Sequence, residues 1–453
     1  MLDHHTPFSI VHLVSPTPHT MFSMSQAPSF HPIISVTGLG YVGLPLALAF
    51  ARHHTVIAYD HAPDRVAMLQ NHQDPSQQIP PESFRNLNIL FTSHPEDLAQ
   101  ANFHIVATPT PINANRVPDI SLLHEAMRTI GSILKKGDIV VIESTVYPGC
   151  SEEDCLPILE ATSHLKCDVD FHLAYSPERI NPGDDVHTLA NVPKLVAART
   201  LEALDVVAQT YASVVQAGIH RAPSIKVAEA AKILENTQRD INIALMNECS
   251  LIFSRMGIST LQVIEAAKTK WNFMPFHPGL VGGHCIGVDP YYLDFKARQL
   301  GYHTQVISQG RFVNEAMGRH VAKQTVKRLL LTNIPSIKQA RVLVMGLTYK
   351  ANVADVRSSR SVDIIDELRS FSVADIDVVD PLASKRDALA LYGFAPADQP
   401  SGIYDAIIVA TAHDCFVSLG QDFFNRHLRP HGVLSDVYGI FDHRISGFDY
   451  WSL

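Results

Sequence analysis

The chain has 453 residues, 46% hydrophobic and 18% charged, with a formal net charge of −9, enough for two or three domains that each bury a core. The acidic balance and the lack of any Lys/Arg-rich run exclude an electrostatic footprint for nucleic acid, so phosphates must be held locally. The six cysteines (Cys150, Cys155, Cys167, Cys249, Cys285 and Cys415) show no Cys-x-x-Cys spacing, so no metal site or disulfide framework is implied and a cytoplasmic location is expected; no apolar run approaches the roughly 20 residues that span a bilayer.

In chain order, residues 1–30 are rich in His, Pro, Ser and Thr, lack the basic and apolar regions of a secretory signal, and read as a disordered extension. Translation from Met24 instead of Met1 would spare the fold. Residues 31–222 read as a first domain. A β-branched strand at Ile33–Thr37 enters the loop Gly38-Leu39-Gly40-Tyr41-Val42-Gly43, and a helix at Leu44–Arg52 and a strand at Val56–Asp60 follow. Further strands at His104–Ala107, Asp138–Ile142 and Phe171–Tyr175, separated by helical stretches, predict a parallel sheet. In residues 223–330 the character changes. Ile225–Gly257 is one uninterrupted helical pattern with Ile233, Leu234 and Ile241 on its packing side, well beyond the usual length of about 11 residues, and helices at Thr260–Lys268 and Phe312–Leu330 follow. Residues 331–453 return to strands at Arg341–Gly346, Ala374–Asp380 and Tyr404–Ala410. The expectation is an α/β protein: two Rossmann-like domains joined by a long central helix and an all-α middle domain, with no close sequence repeat between the two ends.

The first glycine loop follows a strand, opens a helix and has Asp60 17 residues beyond its last glycine. In that context Gly38 permits the turn, Gly40 lets the backbone approach a pyrophosphate, Gly43 allows close helix packing, and the helix N-terminus offers N–H groups to phosphate. Asp60 accepting from ribose hydroxyls favours NAD over NADP. Thr110 and Thr145 stand where strands end, the place at which ligands of an open parallel sheet sit, although a capped turn would account for either alone. Lys232 and Asn236 share one helix face; a helical lysine by itself is ordinarily a solvated charge. In Gly282-Gly283-His284-Cys285-Ile286-Gly287-Val288-Asp289-Pro290 a thiol sits among glycines with a carboxylate four residues on. An isolated cysteine is usually inert packing, but here backbone N–H groups near the sulfur would stabilise an oxyanion and Asp289 would place a proton-transfer partner. A nicotinamide cofactor and a nucleophilic thiol in one chain point to oxidation of an alcohol or aldehyde to an acid through a thiohemiacetal.

Seven ordered motifs carry a family resemblance: Gly38-Leu39-Gly40-Tyr41-Val42-Gly43, Pro109-Thr110-Pro111, Glu143-Ser144-Thr145-Val146, Ser176-Pro177-Glu178-Arg179-Ile180, Lys232 with Asn236, Gly282-Gly283-His284-Cys285 with Asp289, and Gly346-Leu347-Thr348-Tyr349-Lys350 with Asp355-Val356-Arg357. From about Ile33 to Asp442 the chain resembles the nucleotide-sugar 6-dehydrogenases, the family of UDP-glucose, GDP-mannose and UDP-N-acetylhexosamine dehydrogenases. The resemblance implies an NAD domain, a helical dimerisation core, a C-terminal domain that holds the sugar nucleotide, and two successive NAD-dependent oxidations at C6 of the sugar. It implies that Lys232 and Asp289 act with water on the hydroxyl proton, that Cys285 attacks the aldehyde, that Asn236 and Lys232 stabilise oxyanions, and that Glu178, with water near Thr145, hydrolyses the thioester. It also implies that Gly38, Gly40, Tyr41, Val42, Gly43, Asp60, Arg65, Thr110, Thr145 and Arg357 hold NAD, and that Arg179, Ile180, Lys232, Asn236, Arg239, Lys270, Gly282 and Lys350 hold the nucleotide sugar.

Two departures from the family pattern stand out. UDP-glucose dehydrogenases usually carry a second glutamate four residues after the one matching Glu178, and here that position is Pro182. With Thr269-Lys270-Trp271-Asn272-Phe273 and Gly287-Val288-Asp289-Pro290-Tyr291-Tyr292, this looks like the branch for 2-acetamido sugars. Tyr438 stands where relatives commonly place a basic residue that reaches a neighbouring substrate phosphate. The expectation is therefore a cytoplasmic, homodimeric UDP-N-acetylhexosamine 6-dehydrogenase, acting on UDP-GlcNAc or UDP-GalNAc for surface polysaccharide, with no nucleic-acid or membrane partner. UDP-glucose 6-dehydrogenase and a non-catalytic sugar-nucleotide-binding protein are the alternatives.

Overall fold

The computed structural model describes residues 30–76, 79–180, 186–332 and 334–453; the N-terminal extension up to residue 29, with both start sites, and Pro182 lie outside the described residues. The first half runs β1 (Ile33–Thr37), α1 (Gly43–Phe50), β2 (Thr55–Tyr59), α2 (Pro63–Gln70), β3 (Ile89–Thr92), β4 (Phe103–Val106), α3 (Ser121–Ile133), β5 (Ile139–Ile142), α4 (Leu156–Ser163), β6 (His172–Tyr175), β7 (Lys194–Ala198), α5 (Leu201–Ala212) and β8 (Ile219–Arg221). Four helices follow, α6 (Ile225–Met256), α7 (Thr260–Ala267), α8 (Asp289–Gln299) and α9 (Val306–Leu329). The last part is β9 (Arg341–Met345), α10 (Ser361–Ser370), β10 (Asp375–Val379), α11 (Lys385–Tyr392), β11 (Tyr404–Val409), α12 (Asp414–Val417), α13 (Gln421–His427), β12 (Leu428–Asp436) and β13 (Asp449–Ser452).

β4, β5 and β11 are buried at every residue. Strands of that kind need both sheet faces covered, as helix crossovers do for parallel strands. The first sheet has the order β3-β2-β1-β4-β5-β6-β7-β8 and is parallel except where β6 meets β7 antiparallel, a departure from the parallel pattern expected. The second has the order β10-β9-β11-β12-β13 and is parallel throughout. Residues 32–453 form one compact unit.

The two sheets repeat one device that the sequence does not reveal by similarity. Gly38 N–H donates to the Tyr59 carbonyl at 2.9 Å and Leu39 N–H to Asp60 Oδ2 at 3.0 Å. In the second sheet Gly346 N–H donates to the Val379 carbonyl at 2.8 Å and Leu347 N–H to Asp380 Oδ2 at 2.7 Å. Gly38 and Gly346 both adopt positive φ, +94° and +99°, a region that only glycine enters without strain. The halves diverge at the carboxylate. Asp380 is fully buried and its Oδ2 lies 3.1 Å from His413 Nε2. His413 Nδ1 accepts the Asn352 N–H at 2.9 Å, so Nε2 is the protonated nitrogen and donates to Asp380.

The long helix α6 has 32 residues, about 48 Å at the α-helical rise. It begins where Ser224 Oγ accepts the Val227 N–H and ends at Gly257, whose φ of +72° supplies the left-handed cap. Its buried face is largely polar: Glu229, Lys232, Asp240 and Asn247 point inward. Ile233 is fully buried, and Ile241 packs where a side chain on Gly310 of α9 would clash. Leu234, expected on the packing side, is instead 61% exposed, because the inward stripe at i+3 and i+4 spacing passes through 229, 232, 233, 236 and 240 and leaves 234 on the far side. The helix expected from Phe312 starts earlier, at Val306, and Phe312 itself is exposed.

Glycine positions on the first loop separate packing from open space. A Cβ on Gly43 would penetrate the Gly38 carbonyl oxygen, whereas one on Gly40 would meet nothing within 4 Å. Gly43→Ala should therefore cost about 3 kcal/mol or more, and Gly40→Ala should stay within about 1 kcal/mol of the parent. Denaturant melts of the two variants side by side check this, and equal losses would contradict it.

Candidate active site

Two loops meet across the molecule at the carboxyl ends of β1 and β9. α1 begins at Gly43 without a side-chain cap; Leu44 N–H donates to the Gly40 carbonyl at 3.1 Å and Pro45 has no N–H, so the helix start offers a phosphate fewer donors than the motif implies, and Gly40 stands before open space. Asp60, largely buried, spends Oδ2 on Leu39 N–H and Oδ1 on Ala62 N–H, both at 3.0 Å. Arg65 stands beside it, Nε 3.9 Å from Oδ2, and Nη1 donates to the Leu39 carbonyl at 3.3 Å. Next to Val42, the Tyr41 ring lies 4.5 Å from the Arg357 guanidinium, a cation–π contact. Asp355 holds that guanidinium by two hydrogen bonds, Nε to Oδ1 at 3.0 Å and Nη2 to Oδ2 at 2.7 Å. These groups fit a dinucleotide: a positive-φ turn, a helix that starts directly at the loop, an open glycine and an acidic residue at the end of β2.

Thr110 and Thr145, from neighbouring strand ends, are joined directly, with Thr110 Oγ1 donating to the Thr145 carbonyl at 2.6 Å. Tyr292 on α8, fully buried, donates its hydroxyl to the Thr110 carbonyl at 2.7 Å. The motif reading includes Tyr292 only as the end of the Gly287–Tyr292 stretch and assigns it no contact, yet it lies three residues after Asp289. α8 therefore reaches the reacting centre at its first residue and the strand ends one turn later.

The reactive groups gather around Cys285. Asp289 N–H donates to the Cys285 carbonyl at 2.8 Å, and Asp289 Oδ2 accepts the Asn236 side-chain N–H at 2.5 Å. Lys232 is buried one helical turn before Asn236. Burial works against its charge, but Asp289, Cys285, Glu178 and Glu235 outweigh that and hold its pKa above the ordinary value. Burial pushes Asp289 up to about 6 despite Lys232 and Asn236. Cys285 stays accessible at the wall of a cleft that encloses it. That enclosure pushes its thiol up, Lys232 pulls it down, and Asp289 and Glu178 push it up further.

The cysteine loop owes its glycines to packing against the second sheet. Gly283 has φ +83°; its Cβ would lie 2.7 Å from the Tyr349 ring, and one on Gly282 would lie 2.6 Å from the Ser358 carbonyl oxygen. Gly283 N–H donates to that same Ser358 carbonyl at 3.3 Å, so it is committed to the fold and not free for an oxyanion, contrary to the simplest reading of the motif. Asn247 of α6 clamps the loop upstream, accepting Gly279 N–H at 2.8 Å and donating to its carbonyl at 3.0 Å.

Glu178 Oε1 accepts the N–H groups of Arg179 and Ile180 at 2.6 and 2.5 Å. Arg179 turns away to Glu235, 2.8 Å, while Gly282 and Lys350 are part-exposed on the facing loops. Arg239 and Lys270 are exposed, and among the described residues no hydrogen bond or ion pair fixes either side chain. Tyr438 packs its ring against Gly279, where a Cβ would come within 2.8 Å, and burial pushes its hydroxyl up to about 12. It fills space beside the cysteine loop.

Three family models of one family cover the chain in order: the NAD binding domain of the UDP-glucose/GDP-mannose dehydrogenase family at residues 33–215, its central domain at 226–316 and its UDP binding domain at 343–443. A UDP-N-acetyl-D-glucosamine 6-dehydrogenase of Pseudomonas aeruginosa is 48% identical over 411 residues, 90% of this chain and 97% of the relative. A UDP-N-acetyl-D-glucosamine 6-dehydrogenase of Salmonella typhi is 44% identical over 406 residues, 89% and 95% of the two chains. The solved UDP-D-ManNAc dehydrogenase of Pyrococcus horikoshii superposes with a TM-score of 0.84 at 29% identity, covering 92% of this chain and 98% of the other. With its glycine loop, cysteine turn and second nucleotide-type sheet in family order, the chain belongs to the UDP-glucose/GDP-mannose dehydrogenase family.

Proposed function

We propose that this chain oxidises C6 of a UDP-N-acetylhexosamine, UDP-GlcNAc or UDP-GalNAc, to the uronic acid with two NAD and one water, for surface polysaccharide synthesis in the cytoplasm. The observation that carries the reading is the convergence of Cys285, Lys232, Asn236 and Asp289 between a dinucleotide-type loop and a second nucleotide-type sheet. The relatives named UDP-N-acetyl-D-glucosamine 6-dehydrogenases favour the 2-acetamido sugar. The division into an NAD domain (31–222), a helical domain (223–330) and a UDP-sugar domain (331–453) is supported by the family models, which break near the same places.

NAD, held by the loop of Gly38, Gly40, Tyr41, Val42 and Gly43 with Asp60, Arg65, Thr110, Thr145 and Arg357, supplies the hydride acceptor at both oxidations. The chain's own groups do the rest. Asp289, with a pKa near 6, is largely carboxylate at neutral pH and takes the C6 hydroxyl proton through water, with Lys232 beside it. Cys285 gives its proton to the same cluster and adds to the aldehyde carbon; the Lys232 ammonium and the Asn236 amide face the oxyanion of the thiohemiacetal. After the second oxidation Glu178 takes a proton from the water that cleaves the thioester. Ile180, Lys232, Asn236, Arg239, Lys270, Gly282 and Lys350 hold the nucleotide sugar, joined by Arg179 once it leaves Glu235.

The homodimer is supported by the outer face of α6. Val227, Leu234, Leu245, Ile252 and Met256 form an apolar stripe at helical spacing, 47 to 63% exposed, on a helix whose inward face is polar. Such a stripe lowers its free energy by pairing with a second copy of itself.

Three outcomes are expected. Wild-type enzyme yields two NADH per UDP-sugar with little free aldehyde, and Cys285→Ser loses acid formation by about a thousandfold or more; an NADH trace with product analysis reads both, and full activity of the variant refutes the mechanism. With three sugars assayed side by side, kcat/KM for UDP-GlcNAc or UDP-GalNAc exceeds that for UDP-glucose by about tenfold, or about 1.4 kcal/mol; a highest value for UDP-glucose would assign the enzyme to that sugar instead. Sedimentation of Leu245→Glu/Ile252→Glu gives a monomer, and a dimer unaffected by two buried carboxylates would place the interface elsewhere.

A further inference from the structure

Behind Glu178 lies a charged group that the proposed chemistry leaves unused: Glu143 heads a family motif without a role assigned to it, and Lys194 lies in none. Lys194, the first residue of β7, and Glu143, just past β5, are both buried. Lys194 Nζ donates to Glu143 Oε2 at 2.8 Å and to the carbonyl of Pro177, the neighbour of Glu178, at 3.0 Å. Tyr211 of α5 is fully buried; its hydroxyl donates to Glu143 Oε1 at 2.7 Å and its ring lies 5.3 Å from Lys194 Nζ. Lys194 Nζ is also 3.9 Å from Glu178 Oε2. With Oε1 held by two backbone N–H groups, Oε2 is the oxygen left for chemistry, and the buried ammonium faces it.

A buried ion pair is rarely the most stable filling for its space, since desolvation offsets most of the attraction. Here it sits directly under a carboxylate whose charge state would govern a proton transfer. Among the described residues, the ionisable groups around Glu178 are Lys194 and Glu143 from β7 and the end of β5, Tyr211 from α5, and, on the cleft side, Lys232 of α6 and Cys285 of the glycine loop. Arg179 is engaged elsewhere, with Glu235 and the Pro193 carbonyl.

We propose that Lys194 and Glu143 are positioning residues that set the charge surroundings of the Glu178 base: Lys194 presents its ammonium to the Glu178 oxygen left for chemistry, and Glu143 offsets part of that charge. The inference rests on the reading of Glu178 given above. In the step concerned, water oxygen bonds to the thioester carbon, a water proton passes to Glu178, the C–S bond breaks, and its electron pair stays on the Cys285 sulfur. Burial works against the Glu143 charge, and the Lys194 ammonium and the Tyr211 hydroxyl, both hydrogen-bonded to its carboxylate, work in favour of it.

The signs are opposite for the two partners. Removing a nearby positive charge raises a carboxylate's pKa and removing a nearby negative charge lowers it. Acid-quenched single turnovers with NAD and UDP-GlcNAc, followed across pH, give the decay of sugar bound to Cys285. The acidic limb of that decay should move up by about one pH unit in Lys194→Gln and down by a similar amount in Glu143→Gln. Tyr211→Phe changes no charge but withdraws a hydrogen bond that keeps Glu143 ionised, so it should move the limb down by less; it serves if either charge variant fails to fold. Normalising to covalently loaded sites removes misfolded protein from the rate, and loss of packing alone would not shift the limb in opposite directions. Shifts of the same sign, or none, overturn the inference. Glu178→Gln must abolish the limb; a limb that survives it overturns the role of Glu178 itself, and a wild type with no covalent sugar overturns the thioester.

Discussion

One face of α6 carries a line of buried polar side chains, and the rest of the structure is arranged to satisfy them. Glu229 accepts the N–H groups of Gly149 and Ser151 at 2.6 and 2.9 Å, fixing the segment after β5. Lys232 and Asn236, the next turns along, meet the cysteine loop and Asp289. Asp240 takes Arg311 of α9 at 2.6 Å, with Asn314 at 2.8 Å, and Asn247 clamps Gly279. Buried polar groups without partners are costly, so each anchor commits a different part of the chain to one register against this helix. That constraint leaves Val227, Leu234, Leu245, Ile252 and Met256 of α6 facing outward, while Ile225 and Ile233 share the inward face with the polar anchors.

The same arrangement concentrates charge where the thiol sits. Lys232 is a buried cation among Asp289, Glu178, Glu235 and Cys285, so its ammonium is favoured while no single acid is fully neutralised. The two carboxylates differ in surroundings: Asp289 is enclosed at the start of α8 and pushed up toward neutrality, whereas Glu178 has one oxygen held by backbone N–H groups. Two acids in unlike environments can take separate proton transfers in one cavity.

The repeat of the glycine turn and following carboxylate in both sheets shows how one backbone solution serves two purposes. In the first half Gly40 is open and Asp60 lies at the cleft. In the second His413 covers Asp380, and the loop beyond Gly346 is occupied with Tyr349 and Ser358 pressing on the cysteine turn. The second sheet is thus part of the reactive site's wall, and the glycines of the cysteine motif are shaped by its approach.

Much of this was legible in sequence because its causes are local. β-branched runs ending in glycine marked β1, β9 and their neighbours, and the uninterrupted helical pattern from Ile225 to Gly257 bounded α6 to within a residue. Family spacing picked out Cys285, Lys232, Asn236 and Asp289, which the fold brings together. What the sequence could not decide depends on which face of an element is turned inward. Leu234 reads as core and lies outside; Lys194, which no sequence pattern marks, lies within; Tyr292, given no contact by the motifs, pins Thr110. A side chain's role at such positions is set by partners from distant segments, and only tertiary packing brings Glu143, Lys194 and Glu178, or Gly283 and Tyr349, within reach of one another.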